Sequence, residues 1–141
     1  MLQLFNVTGV EMDQAQLITS LADSVYMPSL FLQNYIKWIE IDDHSVEGEI
    51  FWNSISAKGI FTFNEIGNII QFDTNDRYMD NGKGSSLVPW RVNYSDYKKQ
   101  NGYFQPGNIM VKWILPEGED MYFTSDCIEI KYSVNIENIY K

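Results

Sequence analysis

The sequence predicts an α+β domain: a mainly antiparallel sheet of about eight strands with one N-terminal amphipathic helix packed on its apolar face. Three observations predict it. Apolar residues recur at three- and four-residue spacing between Gln14 and Val25, as they do along one face of a helix. From Tyr35 onward the apolar period changes to two, the period of a half-buried strand. The alternating runs are separated by short turn sequences, and connections that short join antiparallel neighbours.

The elements follow in order. Leu2–Val7 reads as a first strand. The helix expected over Gln14–Val25 carries its stripe on Leu17, Ile18, Leu21, Ala22 and Val25. Asp13 is placed to cap it, with Gln16 completing a capping box and Met12 and Leu17 a hydrophobic staple. Pro28 stops it, because proline lacks an amide donor and disfavours helix at the residue before it. A short second helical turn is expected over Ser29–Gln33. Ile36–Ile41 and Val46–Trp52 then read as strands around Asp42–Ser45. Ser56–Phe63 and Asn68–Asp73 flank Asn64–Gly67, where Gly67 can take the left-handed conformation that closes a hairpin loop.

Asn101-Gly102 is the preferred pair for a two-residue type I′ turn, and such a turn fixes register. With Gln100 opposite Tyr103, the pairs Tyr94–Ile109, Val92–Val111, Trp90–Trp113 and Val88–Leu115 share one apolar face. Arg91–Lys112, Asn93–Met110 and Ser95–Asn108 lie on the other. A one-residue slip would exchange the faces, so turn and pattern corroborate each other. Pro106 belongs at a strand edge or irregularity, since it cannot donate to a ladder. Pro116–Glu119 is a turn, followed by strands near Met121–Thr124 and Ile128–Val134. Asp80–Ser86 reads as a loop too short to divide domains.

The 141 residues fit a single domain spanning 1–141. The net charge of −9 leaves no basic track to displace counterions from phosphates, so nucleic acid is excluded as a partner and anionic membrane surfaces are disfavoured. Eight acidic residues against one base fall in residues 1–50, which makes a solvated acidic face there before it makes a docking patch for a basic partner protein. No apolar run approaches the ~18 residues of a membrane span. The N-terminus shows no basic region or cleavage pattern of a signal peptide, which makes the cytoplasm the default compartment. Cys127 is the single cysteine and is expected to be a half-buried structural thiol.

Catalytic and cofactor chemistry finds no motif. His44, the only histidine, lies in a polar turn, and no nucleophile elbow accompanies it. One histidine and one cysteine cannot make a typical zinc site. Asp73, Asn75, Asp76 and Asp80 resemble a calcium loop until Arg77 occupies a ligand slot. Gly82–Ser86 lacks the full spacing of a phosphate loop. No cofactor is expected, and the domain is expected not to be an enzyme. An enzyme using Arg77, Asp76 and Tyr97 would rest on residue type alone. The aromatic set carries more information: Trp90, Trp113 and Tyr94 share a face, which Phe61, Phe63, Phe72 and Trp38 are expected to join. They are either a core beneath the helix or the lining of a ligand chamber.

Several ordered stretches carry a family resemblance: Gly9–Asp13, Leu21–Pro28, Phe63–Ile69, Pro89-Trp90, Tyr94–Lys98 and Asn101–Pro106. In that order they resemble an uncharacterised bacterial family, a domain of unknown function, and this chain is similar to its C-terminal portion. The Asp-Tyr, Asn-Gly and Pro series is also similar to a hairpin of lipoprotein-carrier (LolA/LolB-like) proteins, in which a curved sheet wraps a helix and shelters acyl chains. That resemblance implies a half-barrel with the helix on its concave face, a compartment in the cell envelope, and no catalytic residues. The resulting expectation is a non-enzymatic binding module for an apolar or lipid-like ligand, held between sheet and helix by Trp38, Phe61, Phe63, Phe72, Trp90 and Trp113. The alternative is a structural or protein-interaction domain with a filled aromatic core and an acidic partner-facing surface.

Overall fold

The computed structural model describes residues 9–131. Among them a single α-helix, α1 (Val10–Asp23), is followed by two short 3-10 turns at Ser24–Tyr26 and Pro28–Leu32. Nine strands follow: β1 (Ile36–Asp42), β2 (Ser45–Trp52), β3 (Ile55–Phe63), β4 (Ile69–Thr74), β5 (Tyr78–Asp80), β6 (Ser85–Leu87), β7 (Trp90–Gln100), β8 (Tyr103–Leu115) and β9 (Gly118–Ser125). Seven of them form one antiparallel sheet in the order β1-β2-β3-β4-β7-β8-β9, and β5 and β6 form a separate ribbon. The expected α+β class holds. Among the described residues the sheet stays open, with β1 and β9 as its edges, and does not close into a barrel. The strand expected at Leu2–Val7 lies outside the described residues, as do residues 132–134 of the last expected strand. Its described part, from Ile128 to Lys131, is not strand.

The helix begins a turn earlier than its capping signals suggest. Gly9, with φ 134°, occupies the cap position, and the Asp13 amide donates to the Gly9 carbonyl at 2.9 Å. Asp13 therefore sits inside the first turn beside Glu11, where negative charge still favours the helix amino end. Ala15, Ile18, Leu21 and Ala22 are buried against the sheet, Val25 continues the stripe in the first 3-10 turn, and Leu17 is only partly covered.

The Asn101-Gly102 hairpin has the expected register throughout its ladder, from Gln100 opposite Tyr103 to Trp90 opposite Trp113. Both turn residues have positive φ, 49° and 85°, as a type I′ turn requires. The ladder ends at Trp90, so Val88 and Leu115 pack on the core without pairing in it. Pro106 lies within β8 opposite Tyr97, and the ladder is irregular beside it at Asp96, whose φ is 56°.

Register carries one apolar rib straight across the sheet: Val46, Phe61, Phe72, Val92 and Val111 are successive cross-strand partners. One residue along, the rib on the other face reads Glu47, Ile60, Asp73, Arg91 and Lys112. There Arg91 bonds Asp73 at 2.6 Å and Lys112 bonds Glu119 at 2.8 Å. A strand's side chains alternate faces, so one register produces both the packed side and the charged side.

Candidate functional site

The aromatic residues singled out by sequence form a continuous series under the helix and the 3-10 turns. Ring centroids are 5.9 Å apart for Trp38–Phe61, 4.7 Å for Phe61–Phe72 and 6.3 Å for Phe72–Trp90. Trp113 joins the series as the cross-strand partner of Trp90. Phe61, Phe72, Trp90 and Trp113 are buried in the main core, whereas Phe63 is half-buried and Trp38 is 38% exposed. The series thus runs from a packed interior at Trp113 to a solvent-reaching end at Trp38.

That end has room because of two glycines. Trp38, Gly48 and Gly59 are successive partners across β1, β2 and β3. A methyl group on Gly48 would meet the Trp38 ring at 2.7 Å, and one on Gly59 would overlap the Phe72 ring. The glycines let the two rings lie flat on the sheet.

The segment from Met27 to Tyr35 crosses this end as a strap. Phe31 packs edge-on against Trp38 and Phe61, and its carbonyl accepts a 3.0 Å bond from Trp38 Nε1. At the far end the Tyr35 carbonyl accepts from the Phe51 amide at 2.8 Å, and the Tyr35 ring meets Trp52. A cleft lies on each side of the strap. One, about 280 Å³, is lined by Phe31, Trp38, Val46, Phe61, Phe63 and Ile69, all apolar. The other, about 520 Å³, lies between α1 and the β1–β3 end of the sheet. Its walls are mixed, with Leu17, Ile36, Ile50 and Trp52 facing Asp13, Gln16, Ser20 and Asn53.

Three of the six expected ligand contacts, Trp38, Phe61 and Phe63, line the apolar cleft, and Phe72, Trp90 and Trp113 do not. Sequence reasoning missed Phe31, Val46 and Ile69. Val46 is the direct partner of Phe61 and Ile69 of Phe63, so the alternation held the signal for both. Phe31 is placed only by the path of the strap.

Electrostatics at the helix end of the core are set by burial. Tyr94 and Tyr26 meet edge to face at 6.5 Å, and burial raises both phenols well above their usual range, with the Asp23 charge adding to each. Burial pushes Tyr97 up to about 12, and its hydroxyl donates to the Ile69 carbonyl at 2.6 Å. Burial also raises the Asp23 carboxyl.

The remaining candidates are dispersed. His44 sits in the exposed β1–β2 turn, its amide bonded to Asp42. Cys127 is exposed, with a φ of 56°; the expected half-burial fails because the chain has left the sheet after Ser125. Asp73 is taken by Arg91 and Asp76 by the Lys58 amide. Among the described residues no three His, Cys, Asp or Glu side chains come together as a metal site. No helix among them is long and apolar enough to cross a membrane.

Fold and clefts of the described residues together define an open antiparallel sheet covered by one helix, with small clefts at one end of its core. The chain belongs to a family of unknown function (DUF6544), whose family model matches residues 1–125. No curated protein and no solved structure matches it.

Proposed function

We propose that the domain is a non-enzymatic binding module that takes an apolar, lipid-like group in the cleft beneath the strap, as lipoprotein carriers shelter acyl chains. The observation that supports this reading is the lining: every side chain around the 280 Å³ cleft is apolar, and its Trp38 wall reaches solvent. Ligand sites are apolar concavities of roughly 300–1,000 Å³. This cleft is near the lower bound, which fits one hydrocarbon tail better than a whole lipid. Burying such a tail is favoured by about 25 cal/mol for each Å² of apolar surface removed from water.

Decanoate titrated against the tryptophan emission tests it, with native mass spectrometry of the purified protein for retained lipid. Val46→Trp fills the cleft from β2 and should abolish decanoate binding, with retained cooperative thermal unfolding as the control that the variant is folded. Equal binding by wild type and Val46→Trp would place the ligand elsewhere. No saturable binding in either would overturn the reading.

A second reading is a protein-interaction domain, favoured by β1. This edge strand exposes Ile39 and Ile41 beside Glu40 and Asp42. An exposed edge is a template for a further strand.

A further inference from the structure

We propose that Arg77, seated on the Trp90–Trp113 pair, is a receiving site for a small oxyanion group, a carboxylate or a phosphate. Its guanidinium carbon lies 4.6 Å from the Trp90 ring and 4.9 Å from the Trp113 ring, so the cation is held over both partners of one cross-strand pair. Nε donates to Thr19 Oγ1 on α1 at 3.2 Å. The terminal Nη groups have no acceptor among the described residues, and no carboxylate there pairs with Arg77.

That lack is notable in a chain with nineteen acidic residues. The nearest in sequence, Asp76, is turned away: its carboxylate accepts from the Lys58 amide at 2.9 Å, and its carbonyl accepts from Gln14. These bonds and the Val88 amide on the Arg77 carbonyl fix the backbone under the guanidinium. A second donor stands close by. Tyr122 stacks on Trp113 and accepts from Trp90 Nε1 at 2.8 Å, so its hydroxyl lies at the edge of the same indole pair that carries Arg77. Its own hydroxyl proton has no acceptor among the described residues.

A partly buried cation is disfavoured by desolvation unless charge or hydrogen bonds compensate it. The indoles supply part of that compensation. The remaining fork of N–H donors matches an oxyanion in shape and charge. The site is separate from the apolar cleft, whose lining it does not share.

Titrating inorganic phosphate and, separately, acetate into the protein at constant ionic strength in chloride tests the assignment, read on the indole N–H resonances of Trp90 and Trp113. Saturable shifts are expected, and whichever anion binds more tightly identifies the source as phosphate or carboxylate. Arg77→Met should abolish saturation. Tyr122→Phe keeps the ring stack and should weaken binding about tenfold, the loss of one hydrogen bond to a charged group. Should Arg77→Met not fold, the Tyr122→Phe comparison decides alone. Shifts that fail to saturate, or that are the same in wild type and the variants, would overturn the proposal.

Discussion

The Tyr94 hydroxyl, on a central strand, donates a 2.7 Å hydrogen bond to the Ala22 carbonyl in the last turn of the helix, 72 residues earlier. Both residues are buried. The bond satisfies a carbonyl that helix ends leave without an intrahelical partner, and it ties α1 to the middle of the sheet.

Tyr94→Phe should therefore lower stability by about 1–2 kcal/mol, since the ring still fills its place but the carbonyl loses its donor. Urea melts measure it. A midpoint unchanged from wild type would show that the helix is held by apolar packing alone.

The phenols predict an alkaline limit. Tyr97 titrates near 10 when unfolded and at about 12 when folded. The unfolded chain thus gives up the proton first as pH rises. The stabilising contribution is whole below pH 10 and is lost toward pH 12, with Tyr26 and Tyr94, both raised, acting in the same direction. Urea midpoints should fall across this window, and Tyr97→Phe should flatten part of the fall. A pH-independent midpoint over the window would contradict the burial of these hydroxyls.

Gly59→Ala should be more damaging than its single methyl suggests. The methyl would overlap the Phe72 ring and approach the Asp73 carbonyl at 2.9 Å, and overpacking of this kind costs about 1–3 kcal/mol. Gly48→Ala meets only the solvent-reaching Trp38 ring, so its clearer sign should be a shift in tryptophan emission. Thermal melts and fluorescence of the two variants separate the effects.

Gly102→Val places a β-branched residue at φ 85° and should cost about 1–3 kcal/mol. Gly82, at the tip of the β5–β6 ribbon, also has positive φ, at 81°, so Gly82→Val carries local strain as well. The two should differ in reach. The Gly102 turn registers the Trp90–Trp113 pair, while the ribbon pairs only three residues on each strand. Global denaturant midpoints should fall further for Gly102→Val, and equal midpoints would mean that the turn does not govern the sheet.

How much of this was legible depended on whether local chemistry and burial agreed. At Asn101-Gly102 the turn preference and the alternation pointed to one register, and that register is found. At the helix start, Asp13 looked like a cap because of its side chain, but Gly9 supplied the needed backbone geometry. The β5–β6 ribbon is largely exposed, so no apolar alternation announced it. The clefts depend on where the strap crosses the sheet, and Arg77 reaches its two indoles from a loop. Such relationships between distant segments leave no periodic trace along the chain.

The strand order also bears on how the chain assembles. Apart from the ribbon, each strand lies beside its neighbour in sequence, so the sheet can grow by successive short loop closures without waiting for remote segments to meet. The helix is the exception: it precedes every described strand and finds the Tyr94 strand only after a long loop is closed. The expected order is therefore hairpins first and helix docking late, with variants at Trp113 slowing folding and variants at Ala22 chiefly speeding unfolding.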